Sequence, residues 1–288
     1  MKQKCESKTF AVFSLLLLIF FAFLSSASAA SFKVRLSHKN ILQGDAFFIR
    51  VTGAKTSSPP SAVFEGRELF FTGCGKKCFL AIGAVDIGTD PGVYRIQVKA
   101  GKNRKNLKLR VKSASFPEIR LELPDEKVFL SPDDLETVHA EKERLQRVFA
   151  VNSEKQWEGE FILPLENDVS TEFGTRRIMN SSWTSVHKGT DIRGQEGEEV
   201  MASNNGSIVL AEELFFGGNT VIVDHGLGIY TIYMHLSQMR VKPGDVVAGG
   251  DIIGLVGSSG RSTGPHLHFG VKVQGINVNP LSLVELSL

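Results

Sequence analysis

Gly264-Pro265-His266-Leu267-His268-Phe269 opens a stretch, His266–Val273, that reads as a β-strand. Side chains alternate across a strand, so His266 and His268 face the same side. Working outward from it, Ser207–Leu210, Asn219–Asp224, Ile229–Met234 and Asp251–Val256 are short β segments with glycine-rich breaks between them. No long helical pattern interrupts them. From about Phe161 onward the chain is therefore expected to be a largely antiparallel β domain, and five of the seven histidines fall inside it.

Four of those histidines sit in three places: His187-Lys188-Gly189-Thr190-Asp191, Tyr233-Met234-His235 and His266-Leu267-His268. Zinc binds imidazole nitrogen and carboxylate oxygen readily, and a catalytic zinc keeps one position for water. Three protein ligands are the pattern to seek. His187 and Asp191 are four apart, which puts them on one face of an extended segment or of a helix; Gly189 between them argues against the helix. Two His, one Asp and an open fourth position follow, with two His left over. Spacing alone does not choose between His266 and His268 as the ligand. Tyr233, two before His235, is expected on the same face, with a hydrogen bond to the site or a packing role. His225, in Asp224-His225-Gly226, reads as a structural residue at a turn.

Residues 30–115 read differently. Phe32-Lys-Val-Arg-Leu36, Phe48-x-Arg-Val51, Tyr94-Arg-Ile-Gln-Val98 and Leu107-Lys-Leu-Arg-Val111 alternate with period two, and turn signals such as Asp90-Pro91-Gly92 separate them. A small antiparallel β-sandwich, immunoglobulin-like in outline, is expected. Cys74 and Cys78 read as a short-loop disulfide in an oxidising compartment. Lys99, Lys102, Arg104, Lys105, Lys108, Arg110 and Lys112 form a basic run with no acid inside it. It reads either as the solvated face of a hairpin or as a contact to an anionic wall polymer or partner. The linker, residues 116–159, should contain a helix. Ser131 suits the cap, Pro132 the first position, and Asp133 and Asp134 the positive end of the dipole. Leu135, Val138, Leu145, Val148 and Phe149 form its apolar stripe.

The first 29 residues have the order of a secretory signal peptide: Lys2, Lys4 and Lys8, an apolar run from Phe10 to Leu24, then Ala27-Ser28-Ala29. The run is about 15 residues, short of the roughly 20 needed to span a bilayer. No stable membrane anchor is expected after cleavage near Ala29. The remainder carries 30 basic and 30 acidic side chains, after three Lys and one Glu are removed from 33 and 31. A formal charge of zero does not indicate a nucleic-acid partner.

His187-x-Gly-x-Asp191, Tyr233-x-His235-Leu236-Ser237 and Gly264-Pro265-His266-Leu267-His268-Phe269 together resemble the lysostaphin-like (LytM-type) zinc metallopeptidases. The likeness extends through Phe173-Gly174-x-Arg176-Arg177, Asp224-His225-Gly226 and Val241-Lys242-Pro243-Gly244-Asp245, and covers roughly residues 160–281. The resemblance implies a catalytic domain over residues 160–288 and one zinc per chain, held by His187, Asp191 and His268. It implies His235 and His266 as the non-ligand catalytic histidines. It implies hydrolysis of the peptide stems or cross-bridges of peptidoglycan, which, with the signal peptide, fits an exported protein, periplasmic or in the extracellular wall. Some members of that family have lost zinc ligands and instead activate other wall hydrolases. That is the alternative reading, and the filling of all five positions here speaks for the enzyme.

Overall fold

A computed structural model describes residues 32–54, 56, 58–122, 130–180 and 183–288. The expected signal peptide lies outside the described residues. The chain is mainly β, as the alternation predicts.

Within residues 32–112 two main sheets, with a small hairpin of Val63–Phe64 and Arg67–Glu68, enclose one core. The first runs Lys33–Leu36, Ala46–Thr52, Cys78–Ala84, Thr72–Gly73; the second runs Asn40–Leu42, Asn103–Lys112, Gly92–Ala100. Phe47, Ile49 and Val51 of the first meet Ile96, Val98, Leu109 and Val111 of the second. One pairing departs from the antiparallel expectation: Asn40–Leu42 lies parallel to Arg110–Lys112. Only residues 37–39 separate it from Lys33–Leu36, so the chain changes sheet without reversing direction. Cys74 and Cys78 are joined, with their Cα atoms 5.0 Å apart.

The first sheet is covered on both faces. Phe48, Leu80, Ile82 and Ala84 point away from the sandwich core and join Trp157, Ile229, Val271 and Leu286 in the core of the C-terminal part. This is why Ala46–Ile49 is buried at every position rather than alternating. Hydrogen bonds cross the same junction: Asn279 N donates to Gly44 O at 2.7 Å, and Ala46 N to Ser282 Oγ at 2.9 Å.

The helix spans Pro132–Phe149, and Ser131 Oγ accepts from Asp134 N at 3.1 Å, as its capping sequence predicts. Its C-terminal half is docked. Leu145 and Phe149 pack on Leu210, Leu214, Ile222 and Tyr230, the Phe149 ring edge-on to Tyr230 at 5.2 Å. Leu135 is instead 43% exposed. At Glu141, whose carboxylate accepts from Phe215 N, the helix has already reached the turn of the hairpin beneath it. Six residues further back, about 9 Å at 1.5 Å per residue, no sheet remains to cover Leu135.

The C-terminal sheet runs Val169–Thr171, Gly189–Arg193, His266–Val273, Ile229–Met239, Gly218–Gly226, Gly206–Leu214, Val246–Val247. Every pairing on this path is antiparallel. Leu267, Phe269, Val271 and Val273 fill its core face. The face carrying His266 and His268 is left for the site.

Candidate metal centre and active site

His268 stands directly opposite Asp191 on one side and Met234 on the other. Directly opposed residues of an antiparallel pair share a face, so His268 and Asp191 are brought together by register. His187 enters from the segment just before the Gly189–Arg193 strand. Gly189 makes room for the arrangement: a Cβ there would lie 2.5 Å from Phe269 O and 2.6 Å from His268 Nε2. The middle glycine of His187-x-Gly-x-Asp191 thus answers to a close approach of the His268 ring.

Three side-chain atoms converge. His187 Nε2 is 2.9 Å from Asp191 Oδ1, His268 Nδ1 is 2.8 Å from the same oxygen, and the two nitrogens are 3.0 Å apart. His187 Nδ1 lies 3.0 Å from Glu172 O, which assigns the ring proton there and leaves Nε2 a lone pair. A lone pair facing a carboxylate oxygen at this distance repels unless a cation or a proton lies between them. Two imidazoles and one carboxylate are a donor set that zinc takes, so the residues fit such an ion. Burial works against the Asp191 carboxylate, but a proton or cation shared with the His187 and His268 rings outweighs it and holds the group well below the usual range. Arg177 adds a cation 3.5 Å from the other oxygen, Oδ2.

The two remaining histidines sit beside this cluster. The His266 ring lies 4.8 Å from that of His235, centroid to centroid, and its Nε2 is 3.7 Å from Asp191 Oδ1. Each holds its Nδ1 against a backbone carbonyl, Ser259 O for His235 at 2.9 Å and Gly264 O for His266 at 2.8 Å. Both therefore keep Nε2 as the free nitrogen. Burial pushes His235 down to about 4, so it is neutral near pH 7.

His235 reaches this position through a β-bulge. Val221 pairs with Tyr233, yet Asn219 pairs with Leu236, so one extra residue lies on the His235 strand. Strict alternation would send His235 to the core face with Tyr233. Instead it adopts φ +65°, a left-handed conformation that costs a non-glycine residue of order 1 kcal/mol or more. Tyr233 stays in the core, where its hydroxyl accepts from Ser203 N at 2.8 Å and lies 2.9 Å from Thr231 Oγ1. The expectation that Tyr233 shares a face with His235 is thereby corrected: the bulge separates them.

His225 is structural, but in a strand rather than a turn. It is fully buried, with Nδ1 2.8 Å from Asn205 O and Nε2 2.7 Å from Thr231 Oγ1. Burial lowers its pKa to about 4. The unfolded chain binds this proton below about 6.5 and the folded chain only below about 4, so stability is lost as pH falls through that window. Between pH 6.5 and 4 this one group should cost about 3 kcal/mol. Urea unfolding of the wild type and of His225→Gln across that range should show the steeper loss in the wild type; parallel curves would refute it.

The carbonyls of Glu172, Ser259 and Gly264, which orient three rings, leave no mark in a sequence because every residue has a carbonyl. Nothing local in Phe173–Arg177 marks Arg177 for the site, because its partner Asp191 lies on a strand further along the chain. Of Glu196, Glu198 and Glu199, which follow the His187–Asp191 motif, Glu198 is spent on its own loop, accepting from Gln195 N and Asn167 Nδ2. A cavity of about 680 Å³ lined by Asn167 and residues 193–198 lies next to the His266 end of the strand, since Arg193 pairs with His266.

Residues 185–280 match the sequence model of Peptidase family M23. Over 115 residues the chain is 40% identical to the DD-carboxypeptidase/endopeptidase Mpg of Neisseria meningitidis, covering 40% of this chain and 26% of that protein. Over 114 residues it is 39% identical to the peptidoglycan DD-endopeptidase ShyA of Vibrio cholerae, covering 39% and 26%. The match thus spans about a quarter of the length of these curated relatives. Among solved structures, a candidate M23 peptidase from Pseudomonas aeruginosa shares the fold, with a TM-score of 0.65 over 85% of this chain and 95% of that one, at 24% identity. Residues 185–280 of this chain are therefore a domain of peptidase family M23.

Proposed function

We propose that this protein is a zinc-dependent endopeptidase that hydrolyses the peptide cross-links of bacterial peptidoglycan. The observation that carries the reading is the convergence of three acceptor atoms, from His187, Asp191 and His268, with two further imidazoles beside them. Its relatives Mpg and ShyA, by name, cut D,D bonds, in ShyA's case of peptidoglycan. In this reading His187, Asp191 and His268 hold the ion, which when bound supplies Lewis acidity and a water of lowered pKa. His235 and His266 leave Nε2, the ring nitrogen that no carbonyl holds, available to a substrate beside the metal site. One takes a proton from the attacking water and returns it to the leaving amine. The other, protonated, donates a hydrogen bond to the oxygen on which charge develops.

The same reading divides the chain into a signal peptide over 1–29, an accessory sandwich over 30–115, a linker over 116–159 and a catalytic unit over 160–288, acting outside the cytoplasm. Among the described residues no helix is long and apolar enough to cross a membrane. The test is digestion of purified peptidoglycan with and without a zinc chelator, with fragments read by mass spectrometry. Chelator-sensitive peptide fragments are expected, and their masses identify the bond. A zinc-loaded protein that releases none would favour the non-catalytic regulator.

A further inference from the structure

The basic run of the accessory region becomes a surface in the fold. The hairpin Gly92–Ala100 and Asn103–Lys112 sets Arg95 opposite Lys108 and Lys99 opposite Arg104. Arg110 and Lys112 continue the same face, because Leu109 and Val111 between them point into the core. All six cations are exposed. None forms an ion pair with a described residue. The polar row between them, Gln97 opposite Asn106, is closed on itself by a hydrogen bond of 3.2 Å.

Like charges placed directly opposite one another weaken a ladder. Two such pairs in one hairpin, without an acid among them, are a stability cost with no return inside the molecule. The face is also free. The sandwich core covers its inner side, and the other sheet of the sandwich lies between it and the peptidase core. From Arg104 to Lys112 the strip is about 27 Å long, with successive same-face residues about 7 Å apart. A long strip of cations with no ion pair among the described residues suits a linear polyanion rather than one small anion. It carries no aromatic ring, so it lacks the stacking platform of single-stranded nucleic-acid binders. Its exposed apolar residues, Leu42 and Val93, stand only at one end rather than in the middle, where a membrane-inserting face would need them.

We propose that this face docks peptidoglycan itself through the free carboxylates of its stem peptides, at a site separate from the cleft. The identity of the polymer rests on the hydrolase reading above; the anion-binding character of the face does not. Because the strip is turned away from the peptidase core, it would hold a strand other than the one being cut. The tether would raise the effective concentration of cleavable bonds without touching the chemistry.

The test is sedimentation of the purified chain with isolated sacculi, in the presence of a zinc chelator so that binding is read without cleavage. Wild type is compared with a variant carrying Lys99→Gln, Arg104→Gln, Lys108→Gln and Arg110→Gln. Wild-type binding is expected to weaken as salt rises from about 0.05 to about 0.5 M, and the variant to bind about tenfold more weakly. With zinc restored, the variant should cut sacculi more slowly but soluble cross-linked muropeptides within about twofold of wild type. Its melting temperature should equal or exceed that of wild type, because opposed like charges are gone. Equal sacculus binding by the two proteins, or binding indifferent to salt, would overturn the proposal. So would binding of the wild type to anionic-lipid vesicles or to DNA but not to sacculi. If salt-sensitive sacculus binding is lost in the variant while neither protein cuts any substrate, the docking face stands and the hydrolase reading is what fails.

Discussion

His268→Ala should leave the protein without zinc and without wall-cleaving activity. The ring contributes one of three converging atoms, 2.8 Å from Asp191 Oδ1 and 3.0 Å from His187 Nε2. With it gone, two donors remain, too few for a site that needs three protein ligands. Loss of even an outer partner of a ligand weakens metal binding about 10–100-fold, so loss of the ligand should exceed about 100-fold. The readout is bound zinc per chain after dialysis, alongside digestion of peptidoglycan. The fold should survive: His268 lies on the face of its strand opposite Leu267 and Phe269, which do the core packing. A folded variant that keeps a full equivalent of zinc would remove His268 from the metal site. A zinc-free variant that still releases peptide fragments would remove the metal from the mechanism.

His235→Ala should separate the two functions. His235 Nδ1 is 2.9 Å from Ser259 O rather than near Asp191, so its loss leaves all three converging atoms in place. Zinc content should stay at one per chain while turnover falls by about 10² to 10⁴, the range of a positioned acid–base group. The variant should not be grossly unstable, because the deleted ring faces the site and the alanine inherits a conformation already strained at φ +65°. Loss of zinc in this variant would make His235 a ligand, and full activity would make it a bystander. The Nδ1 contact explains why the ring presents Nε2. The loop Gly257–Gly260 supplies that contact through Ser259, and a side chain on Gly260 would run into the backbone of Gly218. The loop flanking the cleft is therefore part of how His235 is aimed.

Much of this was legible before any coordinates. The cap at Ser131 and the helix it starts depend on residues within one turn of each other, and the His266–Val273 strand depends on its own alternation. The donor types at 187, 191 and 268 come with the motif. Less legible was the half-docked helix. Its stripe is continuous from Leu135 to Phe149, but the hairpin beneath it is shorter than the helix. The run Ala46–Ile49 likewise reads as one face of a sandwich, whereas Phe47 and Ile49 fill one core and Phe48 another.

By itself, then, the sequence determined the local elements, the mainly β class and the residue types from which a metal site could be drawn, without choosing between His266 and His268. The tertiary structure decided where those atoms point. His235 is aimed by a bulge that exists only because Gly218–Gly226 pairs one residue out of step with its partner strand. Tyr233 is kept from the site by the same slip. The free ring nitrogens are selected by carbonyls of Glu172, Ser259 and Gly264, two of them 15 and 24 residues away from the ring they hold. The physical reason is common to all three. Alternation and capping are enforced within a few residues, whereas register, bulges and backbone acceptors arise from pairing between distant segments, which no local pattern encodes.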